Sequence, residues 1–130
     1  MARVSKELPR HGETIWALSG QRTGRSDLPL TARGERNATR LAKGLTFEEV
    51  FCSPLQRVRR TCELAGFGAV AAIDPDLLEW DYGQCENLRS EDHATRPHWQ
   101  LFCDGCPGGE SPDDISTRAD SVLSSCGTAA

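Results

Sequence analysis

The chain has 130 residues, of which 38% are hydrophobic and 26% charged, with a formal net charge of -4 at pH 7. These values are typical of one globular domain. The acidic balance argues against nucleic acid as the main partner, because phosphate-backbone binding needs a basic surface. No apolar run approaches the roughly 18 residues of a membrane span, and the N-terminus lacks the apolar core of a signal peptide. We therefore expect a cytoplasmic location.

The first predicted elements are a strand just before residue 10 and a helix over residues 30–45. The strand is a poor one, because Lys6 and Glu7 do not suit a core and Pro9 cannot donate to a β-ladder. Thr31 suits the N-cap of the helix. The predicted apolar stripe of this helix consists of Ala38, Leu41, Ala42 and Leu45.

A strand, a helix and a second strand are predicted next. The strands cover residues 49–52 and 69–73. Between them, Ser53 is the expected N-cap, Pro54 the first helical residue and Gly66 the stop. The predicted apolar face of this helix consists of Leu55, Val58, Cys62 and Ala65. This alternation is typical of an α/β domain.

The last third of the chain is predicted to be less regular. Residues 74–109 are rich in Gly, Pro, Trp and charge, which indicates loops with short helices. Ser111 and Pro112 open a final helix whose first turn is acidic. Its apolar stripe ends at Leu123, so residues 124–130 are expected to fray. No linker divides the chain, and we expect a single domain over residues 1–130.

Six cysteines leave three interpretations open. An even count is compatible with disulfides, but no secretion signal supports them. Cys103 and Cys106 have CxxC spacing, which alone is weak support for a metal or redox site because a second ligand pair is missing. Reduced, unpaired thiols are the simplest alternative, and we expect no metal.

The run Arg-His-Gly-Glu-Thr at residues 10–14 is suited to an anion site. Gly12 lets backbone approach a ligand, Arg10 can make bidentate contacts to phosphate oxygens, and the neutral imidazole of His11 can attack phosphorus. The alternative is a structural or exposed histidine, which is the commoner case for a single histidine.

Two further charged residues have both a functional and a structural interpretation. Arg57 lies near the start of a helix and could reach an anion there, but its amphipathic surroundings favour a solvated surface position. Glu79 precedes Trp80 and could be either a proton carrier or a carboxylate at the rim of a site. Arg25, Arg59 and Arg60 could favour a multiply charged substrate or be solvated surface residues.

Five motifs, in order, resemble the histidine phosphatase superfamily, whose members share a phosphoglycerate mutase-like fold. Residues 10–14 match its signature; Thr23–Thr31 with Gly34 resemble the substrate loop and first helix. Ser53–Arg57 with Thr61, and Leu78–Gly83, are similar to the second and third motifs. Asp104–Ser111 resemble a loop of the subgroup that contains acid phosphatases and sedoheptulose-1,7-bisphosphatase-like enzymes.

The resemblance implies a three-layer α/β/α fold and hydrolysis of small phosphate esters without a cofactor. His11 would become phosphohistidine. Arg10 and Arg57 would bind the phosphate oxygens. Glu79 would protonate the leaving alcohol and then deprotonate water. The residues expected to line the substrate entrance are Thr23, Gly24 and Tyr82.

The chain departs from the family pattern in two places. Family members carry a second catalytic histidine in a Ser-His-Gly-like motif after the last predicted helix, and the 130 residues contain none. Ala17 stands where Asn or Ser is frequent. We therefore expect a C-terminally truncated domain with an incomplete sheet, whose exposed edge favours self-association. The alternative function is a catalytically impaired member that only binds phosphorylated ligands.

Overall fold

The computed structural model describes residues 7–93, 98 and 100–127. Five α-helices and two strands connect through short turns in this part of the chain. They are α1 (Ile15–Ser19), α2 (Ala32–Ala38), β1 (Val50–Cys52), α3 (Gln56–Leu64), β2 (Ala71–Ile73), α4 (Leu101–Asp104) and α5 (Pro112–Gly127). Short 3-10 turns cover Pro75–Leu77, Gly83–Cys85 and Ser90–His93.

The two strands form a parallel pair, as the α/β pattern predicts. Val50 pairs with Ala71 and Cys52 with Ile73, and α3 makes the crossover between the strands. The second strand begins two residues later than predicted, because the amides of Val70 and Ala71 still donate to the carbonyl of Phe67 in a turn.

No strand precedes His11 among the described residues. Residues 7–13 have no regular structure, and Leu8 is 93% exposed. The predicted first strand is therefore wrong over residues 7–9, and residues 1–6 lie outside the described part. Pro9 cannot join a ladder. The backbone is fixed instead by an isolated antiparallel bridge between Thr14 and Leu30.

Helix α2 begins as predicted and ends early. The Thr31 side chain accepts a hydrogen bond from the Gly34 amide at 3.0 Å, which confirms the N-cap. The helix stops at Ala38 because the following residues close tighter turns and Ala42 has φ 54°. The prediction of a helix up to residue 45 is wrong beyond this point.

Helix α3 is capped from elsewhere in the chain. Its N-cap residue is Leu55, which makes no side-chain cap, and the Gln56 amide donates to Asp27 Oδ1 at 2.7 Å. The prediction of Ser53 as N-cap and Pro54 as first helical residue is wrong, because a distant carboxylate supplies the acceptor. The cap joins the loop that contains Asp27 to the start of α3.

The final helix is longer than the apolar stripe predicts. Ser111 Oγ accepts from the Asp114 amide at 3.1 Å, while Asp114 Oδ2 accepts from the Ser111 amide at 2.9 Å, which confirms the predicted start. The predicted fraying is wrong for residues 124–127, which continue the helix. Residues 128–130 lie outside the described part.

A disulfide joins Cys85 to Cys106. Both are buried in a small core with Leu101, against which Tyr82 packs. The expectation of reduced, unpaired thiols is therefore wrong for these two cysteines, since the tertiary fold brings together residues 21 apart in the chain. The remaining cysteines of the described part, Cys52, Cys62, Cys103 and Cys126, are free.

The helices of the described segments offer no candidate for a membrane span, since none is both long and apolar enough.

Candidate active site

The geometry around His11 fixes the tautomer of its imidazole. Nδ1 lies 2.7 Å from the Gly12 carbonyl oxygen, and Nε2 lies 3.2 Å from Arg57 Nε. A carbonyl can only accept and a guanidinium can only donate. The proton is therefore on Nδ1 and the lone pair on Nε2, which makes Nε2 the nucleophilic atom.

His11 is biased towards its neutral form. Burial lowers its pKa below the ordinary value of 6.5, the charges of Arg57 and Arg10 lower it further, and the hydrogen bond to Gly12 raises it in part. The imidazole is therefore neutral at pH 7, with a free lone pair on Nε2, and is able to act as a nucleophile.

Helix α3 positions both His11 and its neighbour Gly12. Thr61 Oγ1 accepts from the Gly12 amide at 2.9 Å and donates to the Arg57 carbonyl at 2.7 Å. Arg57 and Thr61 are four residues apart and therefore share one helix face. Both are buried, whereas Val58 and Cys62 of the predicted apolar face are only half-buried, so the buried stripe of α3 is polar.

Arg57 is 0% exposed, so the sequence-based preference for a surface position is wrong. Besides His11, it donates to the carbonyls of Ser26 and Gly24 at 2.8 Å each and to that of Thr23 at 3.3 Å. None of the ion pairs found among the described residues includes Arg57. A buried cation thus lies beside the His11 lone pair without a directly bound carboxylate.

Residues 23–26, here called the substrate loop, are hydrogen-bonded by two charged side chains, one at their carbonyls and one at their amides. Arg57 donates to the loop carbonyls, while Glu86 Oε1 accepts from the amides of Gly24 at 2.8 Å and Ser26 at 3.3 Å. A Cβ on Gly24 would lie 2.2 Å from the Trp80 carbonyl oxygen, which excludes any larger residue. Gly24 is therefore a packing requirement of the loop, and Thr23, half-buried, is the side chain beside it.

Glu79 and Tyr82 of the third motif lie close enough for the charge of Glu79 to act on both Tyr82 and His11. Burial raises the pKa of Tyr82, and the charge of Glu79 raises it further. The Glu79 charge also counters the lowering of the pKa of His11 by burial. Glu79 is exposed and its Oε1 accepts from the Trp80 amide at 2.8 Å, so the carboxylate is fixed yet open to solvent.

Arg10, like Glu79, lies at the solvent side of the site. Its side chain is exposed. Its charge nevertheless contributes to the lowered pKa of His11, after burial and Arg57. The structure thus brings the sequence-predicted residues into one region, with Arg57 buried and Arg10 and Glu79 at the solvent side.

Comparison with known proteins decides the family. The sequence profile of the histidine phosphatase superfamily (branch 1) matches residues 8–129. The chain belongs to this superfamily.

Relatives with assigned names include two phosphatases. An acid phosphatase of Mycobacterium tuberculosis is 38% identical over 122 residues, covering 89% of this chain and 60% of the relative. A sedoheptulose 1,7-bisphosphatase of Saccharomyces cerevisiae is 31% identical over 137 residues, covering 84% and 50%. This chain of the histidine phosphatase superfamily thus spans 50 to 60% of the length of these curated relatives.

Solved structures confirm the fold. The crystal structure of phosphoglycerate mutase from Thermus thermophilus has a TM-score of 0.76 and 37% identity, covering 88% of this chain and 68% of that one. A Mycobacterium tuberculosis protein has a TM-score of 0.78 and 36% identity, covering 88% and 62%. The chain has the phosphoglycerate mutase-like α/β fold of its superfamily.

The third motif of this histidine phosphatase domain is supported by an ion pair that the sequence did not predict. Arg118 on α5 donates to both carboxylate oxygens of Glu110, at 2.7 and 2.8 Å, and to the carbonyls of Asp76 and Leu78. Glu110 Oε2 also accepts from the Asp81 amide at 2.8 Å. Arg118 of α5 therefore holds the backbone before Glu79 directly, and it holds the backbone after Glu79 through Glu110.

Sequence analysis missed the two carboxylates that support the site. Glu86 follows the third motif, and its only signal was a carboxylate within an irregular, Gly-rich stretch. Glu110 lies in the loop before α5, within the run 104–111 that carries the subgroup resemblance, but no role was predicted for it. Both carboxylates accept hydrogen bonds from backbone amides. Because nearly every residue has such an amide, the sequence does not show which residues a carboxylate will bind.

The structure shows the contacts of the three arginines that the sequence offered as substrate ligands or surface residues, Arg25, Arg59 and Arg60. Arg60 pairs with Glu35 at 2.9 Å and Glu63 at 3.3 Å. It lines, together with Arg59, a surface cleft of about 290 Å³ between α2 and α3. Arg25 pairs with Glu110 at 3.3 Å.

The CxxC pair does not form a metal site in this fold. Cys106 is bonded to Cys85, so Cys103 and Cys106 cannot act together as thiolate ligands. Over residues 7–93, 98 and 100–127, no group of three or more His, Cys, Asp or Glu side chains is placed to bind a metal ion.

Proposed function

We propose that the chain hydrolyses phosphomonoesters through a phosphohistidine intermediate on His11. The observation that carries this is the contact between a buried guanidinium and the imidazole lone pair. Arg57 Nε lies 3.2 Å from His11 Nε2, and every hydrogen-bond acceptor of the Arg57 guanidinium is a neutral group. A bound phosphate group would neutralise the charge of Arg57 and lie beside His11 Nε2, the atom that would attack phosphorus.

In the first step, a phosphate oxygen replaces His11 as the acceptor of the Arg57 Nε–H, which frees the Nε2 lone pair. Nε2 then attacks phosphorus and the ester P–O bond breaks. The leaving alkoxide takes the proton of the Glu79 carboxyl group. The Gly12 carbonyl, which accepts from Nδ1–H, stabilises the positive charge that develops on the ring.

In the second step, the Glu79 carboxylate takes a proton from a water molecule. The resulting hydroxide attacks phosphorus, the N–P bond breaks, and inorganic phosphate leaves. His11 returns to its neutral form, and Glu79 holds the proton taken from water. Arg10 and Arg57 supply positive charge to the phosphoryl oxygens in both transition states. The scheme needs neither a metal nor an organic cofactor, since side chains provide the nucleophile, the charge and the proton carrier.

The proposed substrate is a small phosphate ester such as a sugar phosphate. Relatives are named acid phosphatase, sedoheptulose 1,7-bisphosphatase and probable phosphoglycerate mutase, which supports phosphoryl transfer in general. The preference for a phosphatase over a mutase rests on the resemblance of residues 78–83 and 104–111 to the acid phosphatase-like subgroup. Binding of phosphorylated ligands without turnover is the second candidate.

The test compares the chain with His11→Ala and, as a matched control, His98→Ala, since His98 is exposed. We expect release of phosphate from p-nitrophenyl phosphate by the parent and the control, and a loss of at least about 1,000-fold in kcat/KM in His11→Ala. Acid-labile, base-stable labelling with ³²P should appear in the parent and disappear in His11→Ala.

Two results would contradict the proposal in different ways. Equal turnover in His11→Ala would exclude His11 as the nucleophile. Phosphate binding that depends on His11 and Arg57, without turnover or labelling in a folded chain, would establish the binding function instead.

A further inference from the structure

The Cys85–Cys106 disulfide joins two segments that support the site from different sides. Cys85 ends the 3-10 turn that follows the third motif, and Cys106 lies in the connection between α4 and α5. Both are buried, with Cys85 1% and Cys106 8% exposed. Pro107 and Gly108, which follow Cys106, are exposed. The Cys106 side of the bond is therefore the side nearer to solvent.

Residues 85–88, here called the support segment, hold the substrate loop. Glu86 Oε1 accepts from the amides of two substrate-loop residues, at 2.8 and 3.3 Å. Two backbone hydrogen bonds of 3.0 Å join Arg22, which precedes the loop, to Asn87 and Leu88. Because the support segment supplies acceptors to the loop amides, a displacement of this segment would leave those amides open to exchange with solvent.

The disulfide supplies most of the packing behind the support segment. The buried apolar cluster there consists of Cys85, Cys106 and Leu101, and Tyr82 packs against it. Helix α4, which contributes Leu101, has four residues and is too short to be stable alone. The bond spans a sequence separation of 21 and restricts the open conformations of the chain between its ends. Reduction would leave two thiols and one leucine as the core of this region.

The third motif has supports that do not depend on the disulfide. The Gln84 amide donates to the Pro107 carbonyl at 2.9 Å, and the Asp81 amide donates to Glu110 Oε2 at 2.8 Å. Arg118 of α5 in turn holds Glu110. Opening the disulfide should therefore displace the support segment more than the third motif, and more than the nucleophile, which α3 positions.

We propose that the Cys85–Cys106 disulfide is a redox switch of the substrate loop, closed when oxidised and opened by a dithiol reductant. A thiolate of the reductant attacks Cys106 Sγ, the S–S bond breaks, and Cys85 leaves as a thiolate that takes up a proton. The second thiol of the reductant then attacks the mixed disulfide and releases the Cys106 thiol. The reductant becomes a disulfide, and the protein gains two electrons and two protons.

The effect on the loop stands on the contacts of the support segment, whereas an effect on turnover rests on the proposed function. The experiment therefore measures both. It compares the oxidised chain with the chain reduced by dithiothreitol. Alkylation in denaturant, counted by mass spectrometry, defines the two states, with four modified cysteines in the oxidised chain and six in the reduced one.

Hydrogen exchange is followed in peptides that cover residues 20–27 and, as an internal reference, residues 57–64 of α3. The variants are Cys85→Ser and the matched control Cys103→Ser, since Cys103 is an exposed cysteine outside the disulfide. Reduction should speed the exchange of the amides bonded to Glu86 by about 10-fold or more and leave the α3 peptide unchanged.

Cys85→Ser should show fast loop exchange with or without reductant, and Cys103→Ser should respond as the parent does. The response of the parent keeps the test decisive if Cys85→Ser does not fold. With p-nitrophenyl phosphate, reduction should raise KM by about fivefold or more and change kcat by less than about threefold. This split is expected because the nucleophile and the third motif keep their supports.

The proposal is overturned if the loop peptide exchanges equally in both states, or if the bond resists dithiothreitol in the folded chain. It is also overturned if reduction speeds exchange in α3 as much as in the loop, because the disulfide would then be a general structural crosslink. Failure of the proposed function has a different signature: turnover is absent in both states or is unaffected by His11→Ala, while the loop still responds to reduction.

Discussion

Arg57 on α3 and Arg118 on α5 are two helical arginines with opposite electrostatic surroundings. Arg118 binds both oxygens of Glu110 and two backbone carbonyls, so its charge is neutralised within the fold. Arg57 is more deeply buried and binds three carbonyls and an imidazole, all neutral. The difference is consistent with a structural role for Arg118 and with the anion-binding role that we propose for Arg57.

The two arginines also act on different segments. Arg57 joins the substrate loop to the nucleophile, and Arg118 joins α5 to both sides of Glu79. A substitution in the first region should therefore change chemistry, and one in the second should mainly change stability.

Of the substitutions that test this comparison, Arg57→Lys should have the largest effect. A lysine keeps the charge but cannot donate to His11 and to three carbonyls at once. We expect kcat/KM for an aryl phosphate to fall by about 100- to 1,000-fold, the usual result of losing a positioned donor to a developing anion. Steady-state kinetics on the folded variant measures this. Activity within about threefold of the parent would remove Arg57 from the proposed chemistry.

Arg118→Lys is the matched substitution in the second region. It keeps the charge and loses the bidentate contact, whose side chains are only 18% and 17% exposed. We expect a loss of about 2 kcal/mol in the free energy of unfolding, measured with urea, and a change of less than about 10-fold in kcat. An unchanged urea midpoint together with a 100-fold lower kcat would show that the comparison with Arg57 is wrong.

The smallest expected effect concerns pH. Burial and two nearby arginines lower the pKa of His11 below 6.5, so the nucleophile becomes protonated only in acid. A plot of kcat/KM should therefore decline by about tenfold per pH unit below an inflection under 6.5.

Arg10→Gln should move that inflection upwards, because the charge of Arg10 is one cause of the lowered pKa of His11. Arg118→Lys should leave it in place, since Arg118 is not among those causes. An inflection that does not move in Arg10→Gln would show that Arg10 is too well screened by solvent to act on His11.

Elements with a local signal were predicted well. Both strands, the Thr31 cap and the start of the last helix follow from hydrophobic period and cap residues within a few positions. Two errors coincide with contacts to a distant group, whereas the missing first strand and the early end of α2 have local causes. Asp27 caps α3 in place of Ser53, and the end of α5 continues past its apolar stripe, with Ser121 bonded to Asp76.

The sequence by itself determined the family motifs, their order and the residue types for phosphoryl chemistry, because each motif is a short contiguous run. Only the tertiary structure decided which charges are compensated. The buried position of Arg57 and the Cys85–Cys106 bond both depend on segments more than 20 residues apart. Burial and pairing are properties of such contacts, and the cost of an unpaired buried charge exists only once the fold has excluded water.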